Sequence, residues 1–242
     1  AMAAGVPPFR SYGRGTYWHA LNRSRVDEKL RRQPEDVVGD MERALPAEIV
    51  MGHVEHHPEI AAALQEMEIR HLLIIRDPQD VVVSLLHWWK RHDEIDAWPF
   101  RLFRALSTDE DRLRFLIEGW KSEVVPEDWP RDVDFPDLAM RYQAYRGWWR
   151  DPACRIVRFE DLTDESQRPR VQREIAAFLR PGMPAAEVDA ALERMEERAD
   201  PSRSRTFRRG TPGAGRRYLT GSLGERFDEV AGALVQELGY EP

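Results

Sequence analysis

The chain has 242 residues, 42% of them hydrophobic, and a net charge of −7 at pH 7. This length and apolar content, with eight tryptophans, exclude a disordered chain and allow a sizeable core. The negative charge argues against a general nucleic-acid binder, and no apolar run approaches the ~20 residues of a membrane-spanning helix. Because it lacks a signal-peptide core and Cys154 is its single cysteine, we expect a cytoplasmic protein without an internal disulfide.

The first 47 residues are atypical for the start of an α/β domain. Residues 1–11 lack the apolar pattern of a buried strand, so no strand is predicted there. The glycine-containing segment Tyr12–Trp18 follows, within a stretch (residues 1–26) that holds four arginines and no acidic residue. Residues 201–224 form a second such stretch, with six arginines and no acid. The two stretches either converge on one small polyanion or are solvated, mobile tails.

Short apolar runs predict three strands, at Glu48–Met51, His71–Arg76 and Arg155–Phe159. Apolar residues at helical spacing predict helices at Asp36–Ala44, Pro58–Met67, Pro78–Lys90, Asp109–Glu123, Phe135–Arg150, Gln167–Leu179, Ala185–Ala199 and Gly224–Leu238. Strands separated by helices imply parallel βαβ units. We therefore predict the α/β class: a single three-layer domain over residues 1–242, with a central parallel sheet flanked by helices.

The connection His71–Trp89 is the most informative part of the chain. Residues 72–75 are all apolar, which is typical of a strand buried on both faces of a parallel sheet. Asp77 can cap the following helix and Pro78 suits its first position. Ligands of open α/β sheets bind at such strand ends, and a helix N-terminus favours anions. Arg76 and Ser84 are therefore expected to hold a phosphate; alternatively, Arg76 pairs with Asp77 or Asp80.

The same connection resembles a known family. Its stretch Arg-Asp-Pro-x-Asp-Val-Val-Val-Ser is similar to the 3′-phosphate-binding motif of sulfotransferases that use 3′-phosphoadenosine 5′-phosphosulfate (PAPS). Three further stretches resemble family motifs in the same order: Ile49–His53 (IVMGH), Arg155–Leu162 (RIVRFEDL) and Thr206–Tyr240. The resemblance covers residues 48–242 and implies the sulfotransferase fold, which is similar to that of P-loop nucleotide transferases.

The resemblance also implies a set of site residues. His53 matches the family's catalytic histidine, and Arg76 and Ser84 match its phosphate ligands. Its "R-K-G" element falls on Arg208, Arg209 and Gly210, where arginine replaces the usual lysine and keeps the charge. Glu55 and Glu59 are alternative bases. His56 and His57 complete an H-x-x-H-H cluster, but no carboxylate or cysteine set at ligand spacing accompanies it, so we predict no metal.

Two family features are not matched. The family's phosphosulfate loop reads approximately P-[KR]-S-G-T-x-W, and only Tyr12–Trp18 (YGRGTYW) is similar to it. We therefore expect that the first strand and its loop are absent from this chain, or that the loop is degenerate. A sheet without its first strand would have an exposed edge. Gly215 stands where the family's tail commonly carries tryptophan, so local packing there is expected to differ.

The expected function is transfer of a sulfuryl group from PAPS to a hydroxyl or amine of a small molecule, in bacterial secondary metabolism, with adenosine 3′,5′-bisphosphate as the product. The alternatives are a protein that binds the bisphosphate without transfer, or a non-catalytic interaction module. No nucleic acid or membrane partner is expected, and a homo-oligomer is left open. Trp89, Trp98 and Trp129 are the tryptophans expected to line an acceptor pocket, and segment Val124–Asp134 is either its lid or a plain connector.

Overall fold

The computed structural model describes residues 10–11, 33–42, 50–51, 54–92, 98–121, 135–198 and 212–241. Within these ranges the strands are β1 (Arg10–Ser11), β2 (Val50–Met51), β3 (His71–Ile75) and β4 (Cys154–Arg158). The helices in the same ranges are α1 (Pro34–Met41), α2 (Pro58–Glu66), α3 (Pro78–Arg91), α4 (Trp98–Ala105), α5 (Asp109–Glu118), α6 (Leu138–Gln143), α7 (Arg146–Arg150), α8 (Phe159–Thr163), α9 (Arg168–Leu179), α10 (Ala185–Arg198), α11 (Gly215–Tyr218) and α12 (Gly221–Glu237).

Both strand pairs in the described residues are parallel. Strands β3 and β4 pair in register from His71 opposite Cys154 to Ile75 opposite Arg158. Strands β1 and β2 pair over two residues each. Because parallel strands need crossover connections, the helices between them form βαβ units. The predicted α/β class with parallel strand pairing is confirmed, and the described strands form two two-stranded sheets, β1–β2 and β3–β4.

The expectation that no strand precedes residue 12 is wrong. Arg10 pairs with Val50 and Ser11 pairs with Met51 in parallel. Backbone hydrogen bonds to β2 define this short strand, so it needs no run of apolar side chains, and its sequence pattern gave no sign of it. Because the two strands are parallel, their carboxyl ends lie side by side at one edge.

Local capping chemistry explains where several helices begin. Asp77 accepts a hydrogen bond from Gln79 N at 2.9 Å, directly before Pro78 at the first position of α3. Thr108 and Asp111 form a capping box at the start of α5. Asp137 accepts from Met140 N at 2.7 Å and caps α6. These helix starts follow directly from the sequence.

The predicted helix Phe135–Arg150 is instead two helices, α6 and α7. They are separated at Ala144 and Tyr145. The carbonyl of Ala144 accepts a hydrogen bond from His56 N at 2.8 Å, a contact with a residue far away in sequence. Because this contact joins residues that are distant in sequence, local periodicity could not predict the break and indicated a single helix. Helix α4 was not predicted, although Phe100 and Phe103 recur at helical spacing in it.

The largest core cluster lies between α3, α4, α5, α6 and α12. It contains Val82, Leu86, Trp89, Phe115 and Phe227, each almost fully buried. A second cluster joins α1, α2 and α7 to the start of β4. A third joins the end of β3 to the last turn of α12. The β3–β4 sheet thus lies between the amino-terminal and carboxyl-terminal helices. None of the helices in the described ranges combines the length and apolar composition that a membrane span requires.

Among the described residues, the cation of Arg141 lies inside this core. Arg141 of α6 is only 5% exposed. Its Nε donates to Asp137 O at 3.4 Å, its Nη2 donates to Leu116 O, and its guanidinium lies 4.9 Å from the centre of the Phe135 ring. Burial lowers the pKa of Arg141 to about 10. Since Leu116 belongs to the last turn of α5, Arg141 satisfies a carbonyl that the helix leaves free.

Candidate functional site

The turn between β3 and α3 is fixed on both sides. Asp77 caps α3 through Gln79 N, while its own N–H donates to Glu160 Oε1 at 3.0 Å. Burial, opposed by the Gln79 hydrogen bond, raises the pKa of Asp77. The hydroxyl of Tyr142 donates to Arg76 O at 3.4 Å. The backbone at Arg76 is therefore held by groups from β3–α3, α6 and α8.

The Arg76 side chain lies at this strand end and is only weakly paired. Its guanidinium lies over the Phe159 ring, 4.4 Å from the centroid, and its Nη2 is 3.5 Å from Asp80 Oδ2. Its Nε is buried and has no hydrogen-bond partner. The side chain as a whole is 22% exposed. A buried, unsatisfied N–H on a permanent cation at a helix N-terminus is an arrangement suited to binding an anion.

Ser84 lies one turn beyond Asp80 on α3. Residues 80, 84 and 87 are spaced i, i+4 and i+7, so they form one stripe of the helix. Ser84 is half-buried, and no hydrogen bond of its hydroxyl is found among the described contacts. Its hydroxyl is therefore free to donate to a ligand on this side of α3.

Helix α11 packs against that stripe of α3. At one end, Asp80 accepts from Gly213 N at 2.9 Å and from Gly215 N at 2.7 Å. At the other end, the Tyr218 hydroxyl lies 3.2 Å from His87 Nε2. The segment that follows Arg208-Arg209-Gly210 in sequence is thus attached to the helix that follows Arg76. The sequence pattern indicates Asp80 only as a partner of Arg76, because the glycines that it binds are more than 130 positions away.

Gly215 explains the departure from the family's tryptophan. A Cβ built on Gly215 would lie 2.5 Å from the backbone carbon of Gln79 and 2.8 Å from Asp80 N. Only a residue without a side chain allows α11 to approach α3 this closely. The expectation that local packing differs at Gly215 is thereby given a physical reason.

We expect Gly215→Ala to lower the free energy of unfolding by about 1–3 kcal/mol, since the new methyl group overlaps backbone atoms that cannot move aside. The matched control is Gly232→Ala in the middle of α12, where the nearest atom to a built Cβ is Asp228 Cβ at 3.9 Å. That control should gain about 0.5–1 kcal/mol from helix propensity. Urea unfolding of both variants measures the two signs; equal effects would contradict the close approach at Gly215.

The chain's last residues support the same turn from the other side. The Tyr240 hydroxyl donates to Glu160 Oε2 at 2.8 Å, while Glu160 Oε1 accepts from Asp77 N. Burial, together with Glu160, raises the pKa of Tyr240. Arg158 lies over the Tyr240 ring at 4.4 Å and donates to Leu238 O at 2.7 Å. Glu160 and Tyr240 lie in stretches that resemble the family, but the sequence pattern predicts no role for either.

Several predicted site residues lie outside the described ranges: His53, Arg208, Arg209, Gly210 and segment Tyr12–Trp18. Their roles stay predictions. Of the neighbouring histidines, His57 accepts from Glu59 N at 3.4 Å and caps α2, and His56 packs edge-on against Trp148 at 4.7 Å. In the part of the chain that the structure describes, no group of histidine, cysteine or acidic side chains is arranged to hold a metal ion.

Trp89 does not line a pocket, contrary to expectation. It is 2% exposed and stacks on Phe100 with ring centroids 4.0 Å apart in the main core. Its position on the same helical stripe as Val82 and Leu86 accounts for this burial. Trp129 and the side chain of Trp98 lie outside the described residues, as does segment Val124–Asp134.

A model of the sulfotransferase domain matches residues 32–239 of the chain. The chain belongs to the sulfotransferase domain family. Among solved structures, it is similar to the mouse sulfotransferase SULT7A1, crystallised in complex with PAP, with a TM-score of 0.56 and 16% sequence identity. The similarity covers 83% of this chain and 71% of the mouse chain, and at this identity it shows the fold. No curated protein matches the chain.

The β3–α3 turn, which carries one of the stretches that resemble the sulfotransferase family, lies within the residues that the family model matches. Three of the four stretches that carry the sequence resemblance lie within the matched residues, and the fourth, Thr206–Tyr240, ends one residue beyond them. The family assignment made from sequence is confirmed.

Proposed function

We propose that this sulfotransferase-family protein transfers a sulfuryl group from PAPS to a hydroxyl or amine of a small-molecule acceptor. The proposal is supported mainly by the position of Arg76 and by its unpaired, buried Nε. Its guanidinium lies at the carboxyl end of β3, next to the N-terminus of α3, with a buried Nε that lacks a partner. A phosphate group placed there would satisfy that N–H and would be favoured by the helix dipole.

The hydrogen bonds from Gly213 and Gly215 to Asp80 attach the segment after Gly210 to α3. This attachment supports the proposal that the carboxyl-terminal segment contributes to the same phosphate site. Only two residues separate Gly210 from Gly213 in sequence, and Gly213 N is bonded to Asp80. In the proposed site, Arg76 and Ser84 bind the 3′-phosphate from one side, and Arg208, Arg209 and the backbone of Gly210 bind it from the other. Arginine suits this task because its forked donors match phosphate oxygens.

The parallel pairing of β1 with β2 supports a proposal for which residues bind the 5′-phosphosulfate group of PAPS. Segment Tyr12–Trp18 follows β1 in sequence and His53 follows β2, and parallel strands present their carboxyl ends at the same edge. We therefore propose that Tyr12–Trp18 is a degenerate phosphosulfate loop, in which Arg14 faces the leaving phosphate oxygen. The related proposal for His53 is that it acts as the general base on the acceptor.

The reaction balances without any further reactant. The acceptor oxygen or nitrogen forms a bond to sulfur as its proton passes to His53, while the bond from sulfur to the 5′-phosphate oxygen breaks. The electron pair of that bond stays on the phosphate, which leaves as adenosine 3′,5′-bisphosphate. Cationic and N–H donors stabilise the charge on this leaving group, and alignment of the reactants supplies much of the acceleration.

We propose a cytoplasmic location, because a chain with the single cysteine Cys154 forms no internal disulfide. Cys154 is buried at the start of β4, and burial raises the pKa of its thiol to about 11. A thiol with so little thiolate at neutral pH is unreactive.

The test of the proposal is binding of adenosine 3′,5′-bisphosphate to wild type and Arg76→Ala, measured by calorimetry. Loss of a charge-assisted hydrogen bond should weaken binding by tenfold or more, since such bonds contribute about 1.5–3 kcal/mol. The matched control is Arg194→Ala, which removes an exposed arginine of α10 and should leave affinity unchanged. Equal affinity of Arg76→Ala and wild type would refute the phosphate site.

A turnover assay separates the enzyme from the alternatives. Wild type is incubated with PAPS and a panel of alcohols, phenols and amines, and release of the bisphosphate is measured. Release that depends on an acceptor supports the transferase. Binding of the bisphosphate without release under any acceptor would favour the binding protein, and binding of neither nucleotide would favour the interaction module.

A further inference from the structure

Asp80 is an unusual group to find beside a phosphate site. It belongs to the first turn of α3 and is 1% exposed. Burying a carboxylate is costly unless hydrogen bonds replace the water it loses. Here both oxygens are used: Oδ1 accepts from Gly215 N, and Oδ2 accepts from Gly213 N. The proposed chemistry assigns Asp80 no role, because a carboxylate repels a phosphate.

The distances show which partners bind Asp80 most closely. The two backbone N–H groups are 2.9 and 2.7 Å from its oxygens, whereas Arg76 Nη2 is 3.5 Å away. The short bonds connect residues more than 130 positions apart in the chain. Asp80 therefore binds the backbone of the tail firmly, and it touches Arg76 without saturating that guanidinium, whose Nε stays free.

The surroundings hold residues 213–218 close to α3. Gly215 approaches the backbone of Gln79 so closely that a Cβ would lie 2.5 Å from it. Gln79 is itself buried. The contact between Tyr218 and His87 holds the far end of α11 against the same helix. Asp80 thus holds the first end of a segment that is attached to α3 at both ends.

We infer that Asp80 is a positioning residue that fixes the backbone of Gly213 and Gly215 relative to Arg76 in the proposed phosphate site. It contacts Arg76 of the β3–α3 turn and accepts from both glycine N–H groups. This inference rests on the proposed function, and it names Asp80, which no sequence motif singled out for this task. Asp80 does not touch the nucleotide; it acts through its three partners.

The sign of a charge change separates this role from a purely electrostatic one. Asp80→Asn removes the negative charge and keeps one acceptor oxygen, so one of the two glycine N–H groups loses its partner. If the charge alone mattered, removing it would strengthen binding of a phosphate. If position matters, binding should weaken despite the more favourable charge.

The test compares two probes, adenosine 3′,5′-bisphosphate and adenosine 5′-monophosphate, which lacks the 3′-phosphate. Calorimetry on Asp80→Asn should show about a tenfold loss of affinity for the bisphosphate and less than a twofold change for the monophosphate. The matched control Asp189→Asn removes a surface carboxylate of α10 that pairs with Arg173, and both affinities should stay as in wild type. An unchanged or increased bisphosphate affinity in Asp80→Asn, or equal losses for both probes, would overturn the inference.

A second variant approaches the same contact from the tail. Gly213 has a positive φ of 79° and nothing within 4 Å of a built Cβ, so Gly213→Ala strains this turn without disturbing the core. Gly213→Ala should also weaken binding of the bisphosphate more than binding of the monophosphate. This variant tests the inference if Asp80→Asn does not fold. An unchanged ratio of the two affinities in Gly213→Ala would overturn the inference. A wild-type protein that binds both probes equally would instead refute the proposed function, and the inference with it.

Discussion

Replacing His53 by alanine is expected to lower the turnover number by about 10²–10⁴-fold, the range that a positioned general base contributes. Binding of adenosine 3′,5′-bisphosphate should change by less than about twofold, because the base acts on the acceptor and not on the nucleotide. The measurement pairs steady-state kinetics, with the acceptor that wild type uses fastest, with calorimetry of the bisphosphate.

A neighbouring histidine provides the matched control for His53. His57 caps α2 by accepting from Glu59 N, so His57→Ala should cost about 1 kcal/mol of stability and leave turnover unchanged. If His53→Ala retains full activity, the assignment of the base to His53 is wrong. Glu55→Gln and Glu59→Gln would then show which carboxylate takes its place.

The second large effect is expected on stability, from Arg141→Lys. The forked guanidinium of Arg141 reaches Leu116 O and Asp137 O together inside the core, and a single ammonium group cannot reproduce that geometry. An incompletely paired buried charge should lower the free energy of unfolding by about 3–5 kcal/mol at pH 7. The control Arg114→Lys, on the partly exposed face of α5, should change it by less than about 0.5 kcal/mol.

The pH dependence of Arg141→Lys follows from the burial that already lowers the pKa of Arg141 to about 10. The same burial should lower the pKa of a lysine there below its unfolded value of about 10.4. Below the folded pKa the full cost of the buried charge is present, and above the unfolded pKa it is gone. The stability lost at pH 7 should therefore be partly regained by pH 10, as urea unfolding at both values measures. A deficit that is the same at pH 7 and pH 10 would contradict the burial of a charged lysine.

Local rules predicted the bounds of the β3–α3 turn, but the prediction that the strand is buried on both faces is wrong, because Ile74 of β3 is 54% exposed. The apolar run before Arg76, the cap at Asp77 and Pro78 at the first helical position together gave the strand end and helix start that the structure has. Each of these signals acts within a few residues, so it is legible in one stretch of sequence. The identity of the family came from several such stretches in a fixed order.

Contacts between distant segments were not predictable in the same way. The pairing of β1 with β2, the bonds from Asp80 to Gly213 and Gly215, and the link from Glu160 to Tyr240 all depend on tertiary geometry. Trp89 was misjudged for a different reason. It lies near a predicted irregular segment, which favours a pocket, but its place on the apolar stripe of α3 buries it in the core.

The position of α12 has a consequence for how the chain becomes native. Residues 223–235 of this final helix complete the main core, and Tyr240 closes the support of a turn formed by residues 75–78. Contacts of such long sequence separation slow folding. While a ribosome is still synthesising the protein, the nascent chain therefore exposes an unfinished apolar interior. We expect newly made polypeptide to depend on chaperones until Tyr240 has emerged.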